Sequence, residues 1–404
     1  MMKRFIDRTT IMAGMLIMLT GIVWISGTPY TAIGKIYGLL KQEFLAVCHK
    51  SSGTDTEETL TMDHISTEYM DSFWQKRHFI DLNGWMAKRL RIQGYFSDEG
   101  IYITDSGYIL SPAEKTSTDY EFEETMKFYT YLKQKGINLV YVNEPTKCLD
   151  DRIFSRLFGI DSFSNQNADL FLSRITKAGI PVLDLRHELV RDGMEIRNMF
   201  YRADHHWTTR SGLWATRKIA EKLNSCCGYT IDTSVYDERN YSFKEWSKSW
   251  LGEQGRKIGA SYTGLDDYVE IKPKFNTSFT FKYSKKWKNG TFDQFIDESA
   301  YDISADIYST KSWHYSYDQP NVINHNVEKG KVLVLGDSYE QVVVPFLALG
   351  VSELDALILR NYDGDLKEYI EAGDYDTVLI CYAQFMIGAH DDPESVNYKM
   401  FTFG

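Results

Sequence analysis

The chain has 404 residues, of which 43% are hydrophobic and 14% aromatic, which is enough for one large domain or two smaller ones. A formal net charge of -11, without a basic stripe interleaved with aromatic residues, argues against a nucleic-acid-binding protein. Five cysteines are too few for a disulfide scaffold, and their number is odd. The adjacent Cys226 and Cys227 lack zinc or redox spacing, so the cysteines are interpreted as packing residues.

Residues 1–28 have the composition of a membrane-insertion segment. Lys3, Arg4 and Arg8 precede an uncharged, mostly apolar run at 11–25. The basic flank predicts a cytoplasmic N-terminus, which places the chain after about residue 28 outside the membrane. The apolar length lies between that of a signal peptide and that of a short span, and no Ala-x-Ala cleavage site follows. An uncleaved membrane anchor is the favoured prediction, and a signal segment is the alternative.

Residues 29–78 are predicted to form a stalk or linker, because polar and small residues cluster there. From residue 79 to 404 the pattern is that of a globular domain. Two short alternating runs, at 100–104 and 107–110, predict a small hairpin whose turn lies at 105–107.

Helices and strands then alternate along the chain, which predicts an α/β fold. The alternation consists of helices at 119–135, at 165–178 and from Thr208 or Thr209 to about 223, with strands at 137–142 and 180–185. Repeated helix–strand units imply right-handed crossovers and a mainly parallel sheet flanked by helices.

The alternation stops between about 228 and 325, where Trp, Tyr, Lys and Thr are frequent. This segment is predicted to be a β-rich insertion, which either shapes a substrate groove or only packs on the sheet. The α/β pattern then resumes with strands at 331–335, 356–359 and 377–382 and helices at 339–349 and 366–372.

The strand at 331–335 carries the first candidate for chemistry. Its aliphatic run stops at Gly336, which permits a tight reversal, and Asp337 and Ser338 follow at once. Ligands of open α/β sheets bind at the carboxyl ends of the strands, so Ser338 is placed where a reactive hydroxyl would be useful.

A serine nucleophile needs a base, and histidine has a suitable ordinary pKa. Asp204 and His206 offer a base with an orienting carboxylate two positions away, and His205 lies between them. Each residue alone could be an ordinary polar side chain, and Asp204 could be a helix cap. Two histidines beside an aspartate could also ligate a metal ion, but the usual i, i+4 spacing is missing, so no metal is expected.

The Asp-His-His-Trp motif at 204–207 and the Gly-Asp-Ser-Tyr motif at 336–339 resemble the DHHW family of bacterial surface proteins. That family is similar to the SGNH-hydrolase-like alginate O-acetyltransferase proteins. The resemblance covers about 79–404, including the hairpin, and implies an SGNH-like fold in which the Asp-x-His element precedes the serine strand.

The resemblance implies a role for each motif residue. The related alginate proteins carry Asp-x-His-Trp, which corresponds here to Asp204, His206 and Trp207. Ser338 is accordingly expected as the nucleophile, His206 as the base and Asp204 as its orienting group. His205 is then the extra residue, with a structural or substrate-contacting role.

The remaining candidates concern the oxyanion hole and substrate contacts. The backbone N–H of Ser338 or Tyr339 is the expected oxyanion donor, since preorganised dipoles at the developing charge matter most. Asn143 and Tyr382, near strand ends, are alternative donors, although a turn role is open for Asn143. Lys147, in a Pro-x-Lys element that the family shares, and Arg360, just past a strand, could contact a polar substrate. Lys147 could equally be solvated, and Arg360 could pair with an acid.

The main functional hypothesis is an extracytoplasmic O-acetyltransferase that acts on a cell-surface polysaccharide beside a membrane-bound O-acyltransferase. It would be held at the bacterial cell membrane by the N-terminal helix and would use no cofactor. A carbohydrate acetylesterase is an alternative, because water competes with a sugar hydroxyl for the same acyl-enzyme. A non-catalytic module that binds glycan or scaffolds an acyltransferase complex is another.

Overall fold

The computed structural model describes residues 76–95, 100–283, 286–297, 307–309, 320–388 and 397–404. Arg77–Gly404 forms one compact unit. The predicted anchor at 1–28 and nearly all of the predicted stalk lie outside the described residues. Within the described ranges, no helix is both long and apolar enough to cross a membrane.

The described helices vary from one turn to five turns. They are α1 (Lys76–Arg89), α2 (Asp119–Gln134), α3 (Arg152–Phe158), α4 (Ser164–Lys177), α5 (Leu185–Arg191), α6 (Ile196–Met199), α7 (Thr209–Cys226), α8 (Glu253–Ile258), α9 (Ala260–Thr263), α10 (Val344–Leu347) and α11 (Leu366–Gly373).

The described strands form three sheets. They are β1 (Gly94–Tyr95), β2 (Ile101–Ile103), β3 (Ile109–Leu110), β4 (Asn138–Glu144), β5 (Val182–Asp184), β6 (Tyr241–Trp250), β7 (Asp266–Pro273), β8 (Phe279–Tyr283), β9 (Lys286–Gly290), β10 (Asn321–Asn324), β11 (Lys331–Gly336), β12 (Glu353–Leu357) and β13 (Thr377–Ala383). Strands β1–β3 make a small sheet, and the antiparallel pair of β2 and β3 confirms the predicted hairpin.

The largest sheet within the described residues has eight strands in the order β5-β4-β13-β11-β12-β10-β8-β9. The five strands from β5 to β12 in this order run parallel. Strands β10, β8 and β9 continue the sheet with antiparallel pairings. The α/β class is therefore confirmed, but the sheet is mixed rather than mainly parallel throughout.

The predicted insertion at 228–325 is also corrected in part. Its described portion is β-rich, as expected, but β8, β9 and β10 belong to the main sheet, and only β6 and β7 form a separate two-stranded ribbon. The composition of the segment indicates strands. Their partners lie far away along the chain, so composition does not reveal which sheet they join.

Side chains alternate between the two faces of the main sheet, and each face is covered. Val332 and Val334 of β11 join a core with α7 and α10, while Leu333 and Leu335 join a core with α2 and α4. Because both faces are covered, β11 and β13 are almost entirely apolar, which explains why they stand out in the sequence.

Most predicted helices and strands of the α/β pattern are confirmed to within a few residues. The helix predicted at 339–349 is wrong, since a 3-10 turn (Ser338–Val342) precedes the short α10. Three consecutive valines at 342–344 and Pro345 disfavour a continuous α-helix there. The strand predicted at 180–185 ends at Asp184, whose carboxylate caps α5 by accepting a hydrogen bond from the Arg186 amide.

Candidate active site

The two motifs meet at the carboxyl end of the parallel strands. Ser338 opens the 3-10 turn that directly follows β11. Asp204, His205 and His206 lie in the loop before α7, whose first turn is capped by the Thr208 side chain. The two motifs are far apart along the chain, but they meet in the fold because α7 packs against the 3-10 turn that carries Ser338.

A continuous chain of hydrogen bonds joins the three predicted residues. The Oγ of Ser338 lies 2.7 Å from Nε2 of His206, and Nδ1 of His206 lies 2.8 Å from Oδ1 of Asp204. A carboxylate only accepts, so Nδ1 carries the proton, and Nε2 then accepts the Ser338 hydroxyl hydrogen. Ser338 is half-buried, while Asp204 and His206 are almost fully buried.

Asp204 is held in a tightly packed position. A Cβ atom on Gly252 would lie 2.2 Å from the Cβ of Asp204, so only glycine fits beside it. The preceding residue, Ala203, donates its amide to Oδ2 of Asp266 at 2.9 Å. Burial raises the pKa of Asp204, but the attraction and hydrogen bond of His206 outweigh burial and leave this pKa well below its ordinary value. The carboxylate is therefore charged and able to orient His206.

His205 lies beside this chain of hydrogen bonds rather than in it. Its ring centroid is 3.7 Å from that of His206, and its Nδ1 is 3.3 Å from Oδ1 of Asp204. Burial, together with the positive charge that His206 can carry, lowers the pKa of His205 to about 3, against the attraction of Asp204. His205 is thus neutral at physiological pH, and its ring lies against His206, Tyr339 and Phe385.

Two hydrogen bonds tie the histidine loop to the serine turn. The indole Nε1 of Trp207 donates to the carbonyl oxygen of Tyr339 at 3.0 Å, and the Tyr339 hydroxyl donates to the carbonyl oxygen of His205 at 2.6 Å. Both side chains are buried. The aromatic residues that flank the motifs therefore hold the two halves of the site in register.

Asp337 shapes the turn from within. Its Oδ1 accepts the Tyr339 amide and its Oδ2 accepts the Ala383 amide, both at 2.8 Å. The Tyr339 amide is therefore already engaged. Of the two backbone donors predicted for an oxyanion hole, the Ser338 amide is the one that this interaction leaves available.

Two buried carboxyl groups lie beneath the turn. Glu144, at the end of β4, and Glu340 have no exposed surface, and each lies close enough to shift the pKa of the other. Burial raises the pKa of Glu340 to about 7 and raises that of Glu144 well above its ordinary value, and the charge of Asp337 raises both. Since two neighbouring buried carboxylates cannot both be charged at low cost, the folded protein keeps at least one of them protonated.

Asn143 and Tyr382, the two alternative oxyanion donors, form hydrogen bonds with other parts of the fold. Asn143 donates from Nδ2 to Oδ1 of Asp184 at 3.0 Å, within the sheet. Tyr382 belongs to the core on the sheet face opposite to that of Tyr339, and its hydroxyl donates to the Met400 carbonyl oxygen. Both side chains are therefore engaged in structural hydrogen bonds.

Lys147 is buried, so its interpretation as a solvated lysine is wrong. Its Nζ donates to the Arg202 carbonyl oxygen at 3.1 Å and thereby supports the loop that leads to Asp204. Burial lowers the pKa of Lys147 to about 7, although Asp204 and Asp266 raise it. Arg360 is half-buried in the 3-10 turn Leu359–Asn361 after β12. Burial raises the pKa of Asp337 above its ordinary value, and the positive charge of Arg360 opposes this rise.

Sequence reasoning missed Gly252, Asp266, Glu144 and Glu340. None of them stands in a recognisable motif, and each acts through a partner that is distant along the chain. A run of glycines at 252, 255 and 259 was a visible signal for close packing. Gly255 approaches Ala203 and donates its amide to the Ala203 carbonyl oxygen at 2.7 Å.

Asp204, His205 and His206 also have ligand atoms within 4.8 Å of one another, as a metal site would. Both ring nitrogens of His206 already have hydrogen-bond partners, however. A metal ion at His206 would have to displace either Asp204 or Ser338. The geometry favours proton transfer from the Ser338 hydroxyl through His206, which is the arrangement that acyl transfer needs.

Comparisons with known proteins agree with this fold. Residues 102–241 match the family described as the SGNH hydrolase-like domain of acetyltransferase AlgX, and this region includes the histidine loop but not Ser338. The alginate biosynthesis protein AlgX of Pseudomonas syringae pv. tomato is 26% identical over 171 residues. The match covers 41% of this chain and 34% of that protein, so the chain spans about a third of its relative's length.

Solved structures extend the similarity over most of the chain. PatB1 of Bacillus cereus superimposes with a TM-score of 0.59 at 20% identity, covering 75% of this chain and 99% of that one. A DHHW family protein from Eubacterium siraeum superimposes with a TM-score of 0.54 at 14% identity, covering 74% and 95%. At these identities the structures show a shared fold. The predicted resemblance to DHHW and SGNH-like AlgX proteins is confirmed.

Proposed function

We infer that this protein is an extracytoplasmic Ser-His-Asp enzyme that transfers an O-acyl group, in the simplest case acetyl, to a hydroxyl of a cell-surface polysaccharide. The observation that carries the proposal is the hydrogen-bonded chain from Asp204 through His206 to Ser338. A buried base beside a partly exposed hydroxyl is what nucleophilic catalysis by serine requires.

In the first half-reaction, the Ser338 hydroxyl passes its proton to Nε2 of His206 as Oγ attacks the acyl carbonyl carbon. Asp204 stabilises the imidazolium that forms. The Ser338 amide is the proposed donor to the developing oxyanion. The tetrahedral intermediate collapses, the donor's oxygen leaves with the proton from His206, and an acyl-Ser338 ester remains.

In the second half-reaction, a sugar hydroxyl gives its proton to His206 and attacks the acyl-Ser338 ester. Oγ leaves and regains the proton, so the serine and histidine return to their starting states. Arg360 is the candidate for a polar substrate contact. Water in place of the sugar would make the same steps a hydrolysis, so exclusion of water decides between transferase and esterase.

Two observations support the polysaccharide and its location. The similar AlgX protein is described as an alginate biosynthesis protein, and alginate is a polysaccharide. The basic and then apolar sequence at 1–28 supports export with an N-terminal anchor, which would leave Arg77–Gly404 outside the membrane. Acyl-coenzyme donors are not available there, so a membrane-bound O-acyltransferase is the proposed source of the acyl group.

The test uses the purified full chain with a chromogenic acetyl ester, with and without an oligosaccharide acceptor. Ser338→Ala should lower turnover by about 10³-fold or more. Ser173→Ala, on an exposed position of α4, is the matched control and should leave turnover unchanged. A sulfonyl fluoride should add mass to the wild-type chain at Ser338 and not to the Ser338→Ala variant.

The reaction products distinguish an acyltransferase from an acetylesterase. An acetylated oligosaccharide supports transfer, whereas acetate formed at the same rate with and without acceptor identifies an acetylesterase. Unchanged ester turnover in Ser338→Ala, with no labelling of Ser338, would show that the site is not catalytic and would favour a glycan-binding or scaffolding module.

A further inference from the structure

Helix α1 and the residues directly after it carry an unusual concentration of exposed apolar side chains. Among the described residues, nine large apolar side chains are exposed, and five of them lie within 82–92. These five are Leu82, Trp85, Met86, Leu90 and Ile92. Leu82, Trp85 and Met86 follow helical spacing, so they form a continuous row on one face of the helix.

The opposite face of α1 packs closely against the rest of the domain. Gly84 and Ala87 are buried, and a Cβ atom on Gly84 would lie 2.5 Å from the carbonyl oxygen of Ile258 in α8. The Lys88 ammonium donates to the Tyr262 carbonyl oxygen at 2.9 Å. The exposed row therefore belongs to a packed helix, and packing this row against α8 and α9 would require the helix to rotate.

The charge of this segment is opposite to that of the whole chain. Residues 77–92 contain four basic residues, Arg77, Lys88, Arg89 and Arg91, against one acidic residue, Asp81, while the chain carries -11. Asp81 is directed to the domain, where its Oδ1 accepts the Ser261 amide at 3.0 Å. Lys88, Arg89 and Arg91 are exposed, and the Arg89 guanidinium lies 5.5 Å from the Trp85 ring centroid.

We propose that the exposed surface of residues 82–92 (Leu82, Trp85, Met86, Leu90 and Ile92, with Arg89 and Arg91), formed by the end of α1 and the residues that follow it, rests on an anionic lipid bilayer surface. Amphipathic helices with basic residues and tryptophan lie in the plane of the membrane interface. Lysine and arginine are attracted to anionic headgroups, while their stems and the apolar row enter the boundary with the acyl chains.

This contact also places the candidate active site relative to the membrane. Helix α1 packs on α8, and α8 begins directly after Gly252, which packs on Asp204. The lipid-facing helix is thus one layer of packing from the histidine loop. The proposal does not rest on acyl transfer by Ser338, because a catalytically inactive protein would bind lipid in the same way.

The experiment reconstitutes the full chain in vesicles that contain phosphatidylcholine and phosphatidylglycerol, with bromine atoms on the acyl chains as short-range quenchers of tryptophan. Wild type and Trp85→Phe are compared, so that their difference isolates Trp85 from the other tryptophans, including Trp24. We expect the wild type to lose more fluorescence on bromination than Trp85→Phe loses. Trp287→Phe is the matched control, since Trp287 on β9 is as exposed as Trp85. Trp287 should not contact lipid, so this variant should lose as much fluorescence on bromination as the wild type.

Charge is tested with Arg89→Glu combined with Arg91→Glu and with vesicles of phosphatidylcholine alone. Either change should remove the additional quenching of Trp85, and so should 1 M salt, at which the Debye length falls to about 3 Å. Equal quenching in wild type and Trp85→Phe would overturn the lipid contact and leave a protein partner as the occupant. Quenching of Trp85 that is unchanged in phosphatidylcholine alone would overturn its dependence on anionic lipid.

Discussion

The two adjacent histidines differ because of the partners that the fold gives them. His206 bridges Asp204 and Ser338 through its two ring nitrogens, whereas His205 packs against the ring of His206 and remains neutral. The same pair of side chains therefore divides into a proposed base and a supporting residue. Because the two side chains are chemically identical, only their positions in the fold account for their different roles.

Substitution of each histidine tests this division. His206→Asn should lower kcat/KM for an acetyl ester by about 10²–10⁴-fold, because a general base contributes that much. His205→Asn should lower kcat/KM much less, since the two hydrogen bonds that link Asp204 to His206 and His206 to Ser338 remain. Steady-state kinetics of both variants, with thermal unfolding as a check on folding, make the comparison. Equal losses would contradict the assignment.

The Glu144–Glu340 pair gives a prediction about stability and pH. The pKa of Glu340 in the folded protein is raised to about 7 by burial, and a glutamate in the unfolded chain titrates near pH 4.3. Between these values the folded state holds more protons, so the free energy of unfolding falls as pH rises from about 5 to 7. Glu340→Gln is neutral throughout, so its Tm should fall less over this window.

Thermal unfolding at pH 5 and pH 7.5 measures the difference. Glu328→Gln, which removes an exposed carboxylate, is the control and should keep the wild-type slope. A Glu340→Gln variant whose Tm declines as steeply as that of the wild type would show that the pair does not retain a proton in the folded state.

At the scale of elements, the contact of α7 with the serine turn is set by one glycine. A Cβ atom on Gly212 would lie 2.1 Å from the carbonyl oxygen of Val342, the last residue of the 3-10 turn. The glycine brings the helix backbone close to the turn. The loop before α7 carries Asp204 and His206, so this contact also determines how far His206 lies from Ser338.

Gly212→Ala should therefore be destabilising, although an alanine in an exposed helix would stabilise it by about 1 kcal/mol. Forcing the helix and turn apart should cost about 1–3 kcal/mol. Activity should fall as well, because a shift of about 1 Å in a reacting group costs about 10²-fold in rate.

Urea unfolding and ester turnover measure both effects of Gly212→Ala. Ser225→Ala, on an exposed position near the end of α7, serves as the control and should change neither quantity. A Gly212→Ala variant that is more stable than the wild type and fully active would contradict the close approach.

At the scale of the whole molecule, the antiparallel strands and the parallel strands share one core. Phe346 of α10 lies 5.8 Å from Tyr241 of β6 and 5.5 Å from Phe292, measured between ring centroids. All three rings belong to the core that also contains Val332 and Val334 of β11. The β-rich segment and the α/β part should therefore unfold together.

Phe346→Ala tests this cooperativity. Removing a fully buried phenylalanine should lower the free energy of unfolding by about 3–5 kcal/mol while leaving one transition. Calorimetry and far-UV circular dichroism follow the transition. Leu170→Ala, an exposed leucine on α4, is the control and should have little effect. Two separate transitions in Phe346→Ala would show that the β-rich segment is an independent unit.

The sequence alone determined the order of the α/β elements, the buried strand that ends before Ser338 and the residue types at the candidate site. These features are local, because periodicity, glycine and helix caps act within a few residues. Only the tertiary structure decided that β8, β9 and β10 extend the main sheet, that His206 rather than His205 contacts Ser338, and that Gly252, Glu144 and Glu340 support the site. Each of these depends on contacts between residues far apart along the chain, and such contacts leave no local pattern in the sequence.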